Sequence, residues 1–75
     1  MHLWDVALMK VLPEFYEADA SPQTLYRIKK RIVEEMRTHM KISKAEERQV
    51  RVEWMAKTQS VNLVIPPNLL TRTLH

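Results

Sequence analysis

Ser43-Lys44-Ala45-Glu46-Glu47-Arg48-Gln49-Val50-Arg51-Val52-Glu53-Trp54-Met55-Ala56-Lys57-Thr58-Gln59-Ser60-Val61-Asn62-Leu63-Val64-Ile65 carries two periodicities at once. Its opening, Ser43 to Glu46, matches a capping box, in which serine and glutamate satisfy free amides of a helix start reciprocally. A helix over 44–59 places Val50, Trp54 and Val61 on one stripe, and the alanine, glutamate, arginine and glutamine content favours it. The same letters also read as strands. Val50, Val52 and Trp54 alternate with Arg51 and Glu53, and Val61, Leu63 and Ile65 alternate likewise, so a hairpin turning near 56–60 competes. Composition and cap tip the expectation to the helix, and hence to a mainly α fold: a small bundle of three or four helices. A C-terminal β-hairpin or strand stays open as the alternative.

Upstream, Ser21-Pro22 marks a helix start, serine supplying a side-chain acceptor and proline costing nothing at the first position. The helix that follows, expected from about 22 to 41, is strongly amphipathic. Leu25, Tyr26, Ile28, Ile32, Val33, Met36 and Met40 share one broad arc, with Arg27, Lys30, Arg31, Glu34 and Lys41 opposite. Lys29 falls inside the apolar arc, where its stem can lie along the core edge with the ammonium in water.

Residues 3–12 form a shorter helical stripe of Leu3, Ala7, Leu8, Val11 and Leu12, with Trp4 beside it. Pro13 ends or kinks that helix, or opens a short second one in which Phe15 and Ala18 face inward. Pro66-Pro67 breaks regular structure ahead of Asn68, which can cap a final turn holding Leu69, Leu70 and Leu74. Residues 60–75 are expected as an extended apolar tail.

Seventy-five residues allow one domain, 1–75, whose own core is marginal. With no cysteine there is no disulfide or thiolate metal site to reinforce it, so a homo-oligomer, in the simplest case a dimer, is expected. No apolar run approaches a membrane span, and the opening Met-His-Leu-Trp-Asp lacks a basic signal-peptide start; the cytoplasm is the expected location. Charge is unevenly placed. Residues 1–20 set Lys10 against Asp5, Glu14, Glu17 and Asp19, a balance of −3, whereas 21–60 hold ten basic and five acidic side chains, a balance of +5. A basic middle suits a phosphate-bearing partner.

Chemistry finds little purchase. Glycine is absent, which excludes glycine-rich phosphate loops. His2, His39 and His75 are scattered, the serines read as helix caps, and the pairs Glu34-Glu35 and Glu46-Glu47 diverge on helices. No enzyme, metal, cofactor or small-molecule substrate is expected.

Residues 13–28, ending in Glu17-Ala18-Asp19-Ala20-Ser21-Pro22-Gln23-Thr24-Leu25-Tyr26-Arg27-Ile28, resemble the turn and recognition helix of helix-turn-helix regulators. Asp19 stands where that family usually has glycine, and Phe15 where a small residue permits close helix crossing. The resemblance implies a helix-turn-helix-like core that enters the major groove of duplex DNA. Gln23 and Arg27 would then reach base edges, while Thr24, Tyr26, Lys30 and Arg31 contact or support contacts to phosphates. A hairpin at 49–65 would be the wing of a winged variant, with Arg51 and Lys57 near the DNA backbone. Residues 60–75, opening Ser60-Val61-Asn62-Leu63-Val64-Ile65-Pro66-Pro67-Asn68-Leu69-Leu70, separately resemble the strand and first-helix start of ribbon-helix-helix antitoxins. The function expected from these readings is a non-enzymatic DNA-binding regulator of transcription or replication. A helical adaptor or inhibitor is the alternative, binding a protein partner through Leu3, Trp4, Leu8, Leu69 and Leu70, since crowded apolar side chains mark partner surfaces.

The cap at Ser21 has a direct consequence. Ser21→Ala should cost about 1 kcal/mol of stability in chemical denaturation, as loss of a helix cap does.

Overall fold

A computed structural model describes residues 2–15 and 20–72. Among them run α1 (Leu3–Val11), a 3-10 turn (Leu12–Phe15), α2 (Pro22–Met36), α3 (Lys44–Gln49), β1 (Arg51–Met55), β2 (Ser60–Val64) and α4 (Pro67–Arg72). Ala18 and Leu74, expected to face inward and to join the last turn, lie outside the described residues. So do Glu17 and Asp19 of the helix-turn-helix resemblance.

The two strands form an antiparallel hairpin, and the fold is α+β. This corrects the expectation of a mainly α bundle with a helix over 44–59. Helix α3 does begin at the capping box: the Ser43 hydroxyl accepts from the Glu46 amide at 3.1 Å, and the Glu46 carboxylate accepts from the Ser43 amide at 2.9 Å. A cap fixes where a helix starts, not how far it runs. Val50 turns to extended backbone (φ −77°, ψ 131°) after six helical residues. In a continued helix Val52 would stand roughly 200° round from Val50, in solvent. In a strand, Val52 and Trp54 share one face and lie opposite Leu63 and Val61 across the hairpin. The strand buries more of the apolar set, so the alternation wins over local helix propensity.

The loop Ala56–Gln59 closes the hairpin, and Gln59 takes a φ of 49°. Glycine is the natural occupant of such a left-handed position, but the chain has none.

Helix α2 is the spine. Ser21 accepts from the Thr24 amide at 3.2 Å and Pro22 sits in the first turn, as the sequence implies. The helix ends at Met36, short of the expected 41. A turn over 37–40 then reverses the chain and returns Ile42 to the core, its carbonyl accepting from the Arg37 guanidinium at 3.2 Å. Ile28, Ile32, Val33 and Met36 are buried on the inner arc of α2 against Trp4, Ala7 and Val11 of α1. Val50 and Leu69 close the same cluster from the other side. The segment 60–72, expected as an extended tail, is β2 followed by α4, whose Leu69 is fully buried.

The turn chemistry generates a prediction. Gln59→Gly should stabilise the protein by up to about 1 kcal/mol, because glycine takes positive φ without the Cβ clash. A raised denaturation midpoint with unchanged circular dichroism is the expected result.

Candidate functional site

Gln23, Tyr26, Arg27 and Lys30 fall within about half a turn of one another on the outer side of α2, and all four are exposed. Tyr26 leaves 55% of its surface open, and the Lys30 ammonium stands 5.7 Å from the centre of its ring. The other two residues assigned to DNA in the sequence are engaged within the fold, Arg31 while lining one concave patch with Arg27, Lys30 and Glu14. Thr24 takes the Ser21 hydroxyl hydrogen bond at 3.0 Å and lines an apolar cavity. Arg31 is clasped by Glu14 through two hydrogen bonds, 2.8 Å to Nε and 2.6 Å to Nη2, a bidentate pair across to the 3-10 turn. That pair pulls the Glu14 carboxyl below its ordinary range and raises the Arg31 guanidinium further.

Glu47 of α3 organises the neighbouring charges. Its side chain, only 12% exposed, accepts from Lys30 at 2.8 Å and from Arg37 at 2.7 Å. The hydrogen bond from Lys30 comes first, and that from Arg37 adds to it, in holding the Glu47 carboxyl below the usual carboxylate range. The same contact raises the Lys30 ammonium. Glu46 pairs with Arg72 at 2.9 Å and Glu35 with Lys10 at 3.2 Å, tying α4 to α3 and α1 to α2.

The consequence is an asymmetry in what remains unpaired. Every glutamate among the described residues lies within 4 Å of a cation, the weakest being Glu34 with Arg31 at 3.7 Å and Glu53 with Arg51 at 3.9 Å. Arg27, Lys29, Lys41, Lys44, Arg48 and Lys57 have no ion-pair partner among those residues. Lys29 and Arg48 join Tyr26, Pro22 and the Arg51–Glu53 pair along a shallow groove of about 330 Å³ between α2 and the start of β1. Sequence reading missed both. Lys29 was assigned to the edge of the apolar arc, and Arg48 reaches this groove only because α3 stops at Gln49. A free basic residue carries no sequence mark that separates it from a paired one.

The residues assigned to a protein partner are mostly in the interior. Trp4 and Leu69 are core, Leu3 and Leu8 are partly buried against it, and Leu70 is 38% exposed. Trp4 carries its indole N–H into the core with no hydrogen-bond partner among the described residues, a desolvation cost on the order of 1–3 kcal/mol that its packing offsets. A separate apolar cavity of about 420 Å³ opens between the 3-10 turn, α2 and the hairpin, lined by Leu12, Phe15, Leu25, Ile28, Trp54 and Val61.

Among the described residues no group of three or more histidines, aspartates or glutamates is placed to hold a metal ion, and no helix is long and apolar enough to cross a membrane. Comparison of the chain with family models, with curated proteins and with solved structures finds no match.

Glu47 makes a measurable prediction. Its carboxyl is depressed in the folded state, so the stability it contributes is complete above the ordinary carboxylate range and is lost as pH falls through its lowered folded-state value. Glu47→Gln should therefore cost about 1 kcal/mol at neutral pH, with Lys30 and Arg37 both open to water, and should flatten the acid limb of the stability–pH curve. An unchanged acid limb would mean that other carboxylates dominate it.

Proposed function

We infer that the protein is a small non-enzymatic DNA-binding regulator, of transcription or replication, acting in the cytoplasm and without a cofactor. The observation that carries this reading is the charge asymmetry around α2. Carboxylates that could repel phosphate are engaged in ion pairs, while Arg27 on the outer stripe and Lys29 and Arg48 beside it have no such partner. Gln23, Tyr26 and Arg27 lie together on one exposed helix face, the arrangement a helix needs to reach base edges while neighbouring cations hold phosphates. In this role Lys30 is a supporting residue, oriented by Glu47 and positioned over the Tyr26 ring. Arg31 braces α2 against the 3-10 turn through Glu14 and stands in the same patch as Arg27 and Lys30.

A second reading, an adaptor or inhibitor that binds a protein, is favoured by the apolar cavity beneath Trp54. The two make opposite demands on the surface. Removing Trp54 harms an adaptor and leaves a duplex reader's affinity in place.

Fluorescence anisotropy with duplex DNA tests the inference. Affinity should fall steeply with salt, because each neutralised phosphate releases counterions. Arg27→Ala should relax preference at one base pair at a cost of about 1–3 kcal/mol, the range for a bidentate base contact. Lys29→Ala and Arg48→Ala should weaken all sequences alike, each lowering the salt slope by about one. A folded protein with no duplex binding at low salt would sink the regulator reading.

A further inference from the structure

We propose that the outer edge of β2 is a self-association surface, on which a second copy of this chain adds its own β2 antiparallel to make a continuous four-stranded sheet. The sheet has only two strands among the described residues, and the two edges differ in kind. Strand β1 packs beside α2 and carries Arg51 and Glu53 along its length. Charged side chains on an edge strand are a common device against pairing with another chain. Strand β2, Ser60-Val61-Asn62-Leu63-Val64, has none. No charged residue occurs anywhere between Lys57 and Arg72. No backbone hydrogen bond runs from β2 to any element but β1 among the described residues, so with respect to these residues alternate positions of β2 turn N–H and C=O groups away without a partner.

The sequence of β2 is also self-complementary about Asn62. A twofold axis through that residue sets Asn62 opposite the partner's Asn62, and Val61 opposite the partner's Leu63. Ser60 then meets the partner's Val64. The face that carries Val61 and Leu63 is the one packed on the core, so pairing joins the two apolar inner faces edge to edge. On the outer face two neutral amides meet, each with donors and an acceptor for the other. The corresponding pairing of β1 about its own centre would set two Glu53 carboxylates opposite one another, which like-charge repulsion disfavours. Because the β1 edges at the outside of the four-stranded sheet are guarded in this way, association closes at two copies rather than continuing. A dimer also supplies what a chain of 75 residues lacks, since two strands alone are marginal in water.

Sedimentation equilibrium of the full chain, paired with amide hydrogen exchange, tests the assignment. Wild-type protein should sediment as a dimer at micromolar concentration, with amides within 60–64 more protected at high than at low concentration. Asn62 is exposed, so Asn62→Lys should fold normally by circular dichroism while raising the dimer dissociation constant at least about tenfold through the facing ammonium groups. An equimolar mixture of Asn62→Lys and Asn62→Glu chains should restore the dimer. A wild-type monomer up to millimolar concentration overturns the proposal, as does a dimer indifferent to charge at position 62 or an assembly larger than two. Should Asn62→Lys fail to fold, the wild-type exchange data decide alone: protection of 60–64 that does not change with concentration overturns it.

Discussion

Burial of the inner arc of α2 is the constraint on which the rest of the structure depends. Helix α2, at fifteen residues, is the longest element among those described, whereas α3 and α4 have six each. Isolated helices of six residues do not persist in water, because too few hydrogen bonds follow a costly nucleus. Each short element is therefore held by what it lays on Ile28, Ile32, Val33 and Met36. Helix α1 contributes Trp4, Ala7 and Val11, the α3–β1 junction contributes Val50, and α4 contributes Leu69. Trp4 is buried at that centre with its indole N–H, which has no partner among the described residues.

The ion pairs finish what the core begins. Lys10–Glu35 ties α1 to α2, Arg31–Glu14 ties the 3-10 turn to α2, and Glu47 ties α3 to both Lys30 and Arg37. Exposed pairs of this kind contribute little each, but Glu47 is largely sheltered and holds two cations at once. Their larger effect is on what the surface shows to a partner. The glutamates are engaged in these contacts, and of the basic residues left over Arg27, Lys29 and Arg48 lie beside Tyr26 or along the groove to β1. A net charge of +3 understates how one-sided that surface is.

The hairpin governs the other half of the surface. Its inner face lies on the core, with Trp54 roofing an apolar cavity at the end away from β2's exit. The outer strand itself is uncharged, and Asp5 of α1 shares a pocket with its Leu63 and Val64.

Much of the local structure was legible in the sequence. Ser21-Pro22 and Ser43-x-x-Glu46 mark real helix starts, since caps act through hydrogen bonds within three residues and need no distant partner. The inner arc of α2 follows equally from spacing, because a helix fixes which side chains share a face. Arg27 and Lys30 were legible on the outer side for the same reason, but Tyr26, read into the apolar arc, stands exposed beside them, because the core closes over Ile28 and Ile32 and not over the edge of the arc. The choice between helix and hairpin at 44–65 was not: both patterns fit locally, and only contact with α2 and the pairing of Val52 with Leu63 and Trp54 with Val61 favours the strands. Nor could sequence tell that Arg31 is occupied by Glu14, seventeen positions away, while Lys29 and Arg48 are not. Sequence by itself determined where helices begin and which faces are apolar, since those depend on neighbours along the chain. Tertiary structure alone decided where α3 yields to a strand and which charges stay free, since those depend on atoms that folding brings together from far apart.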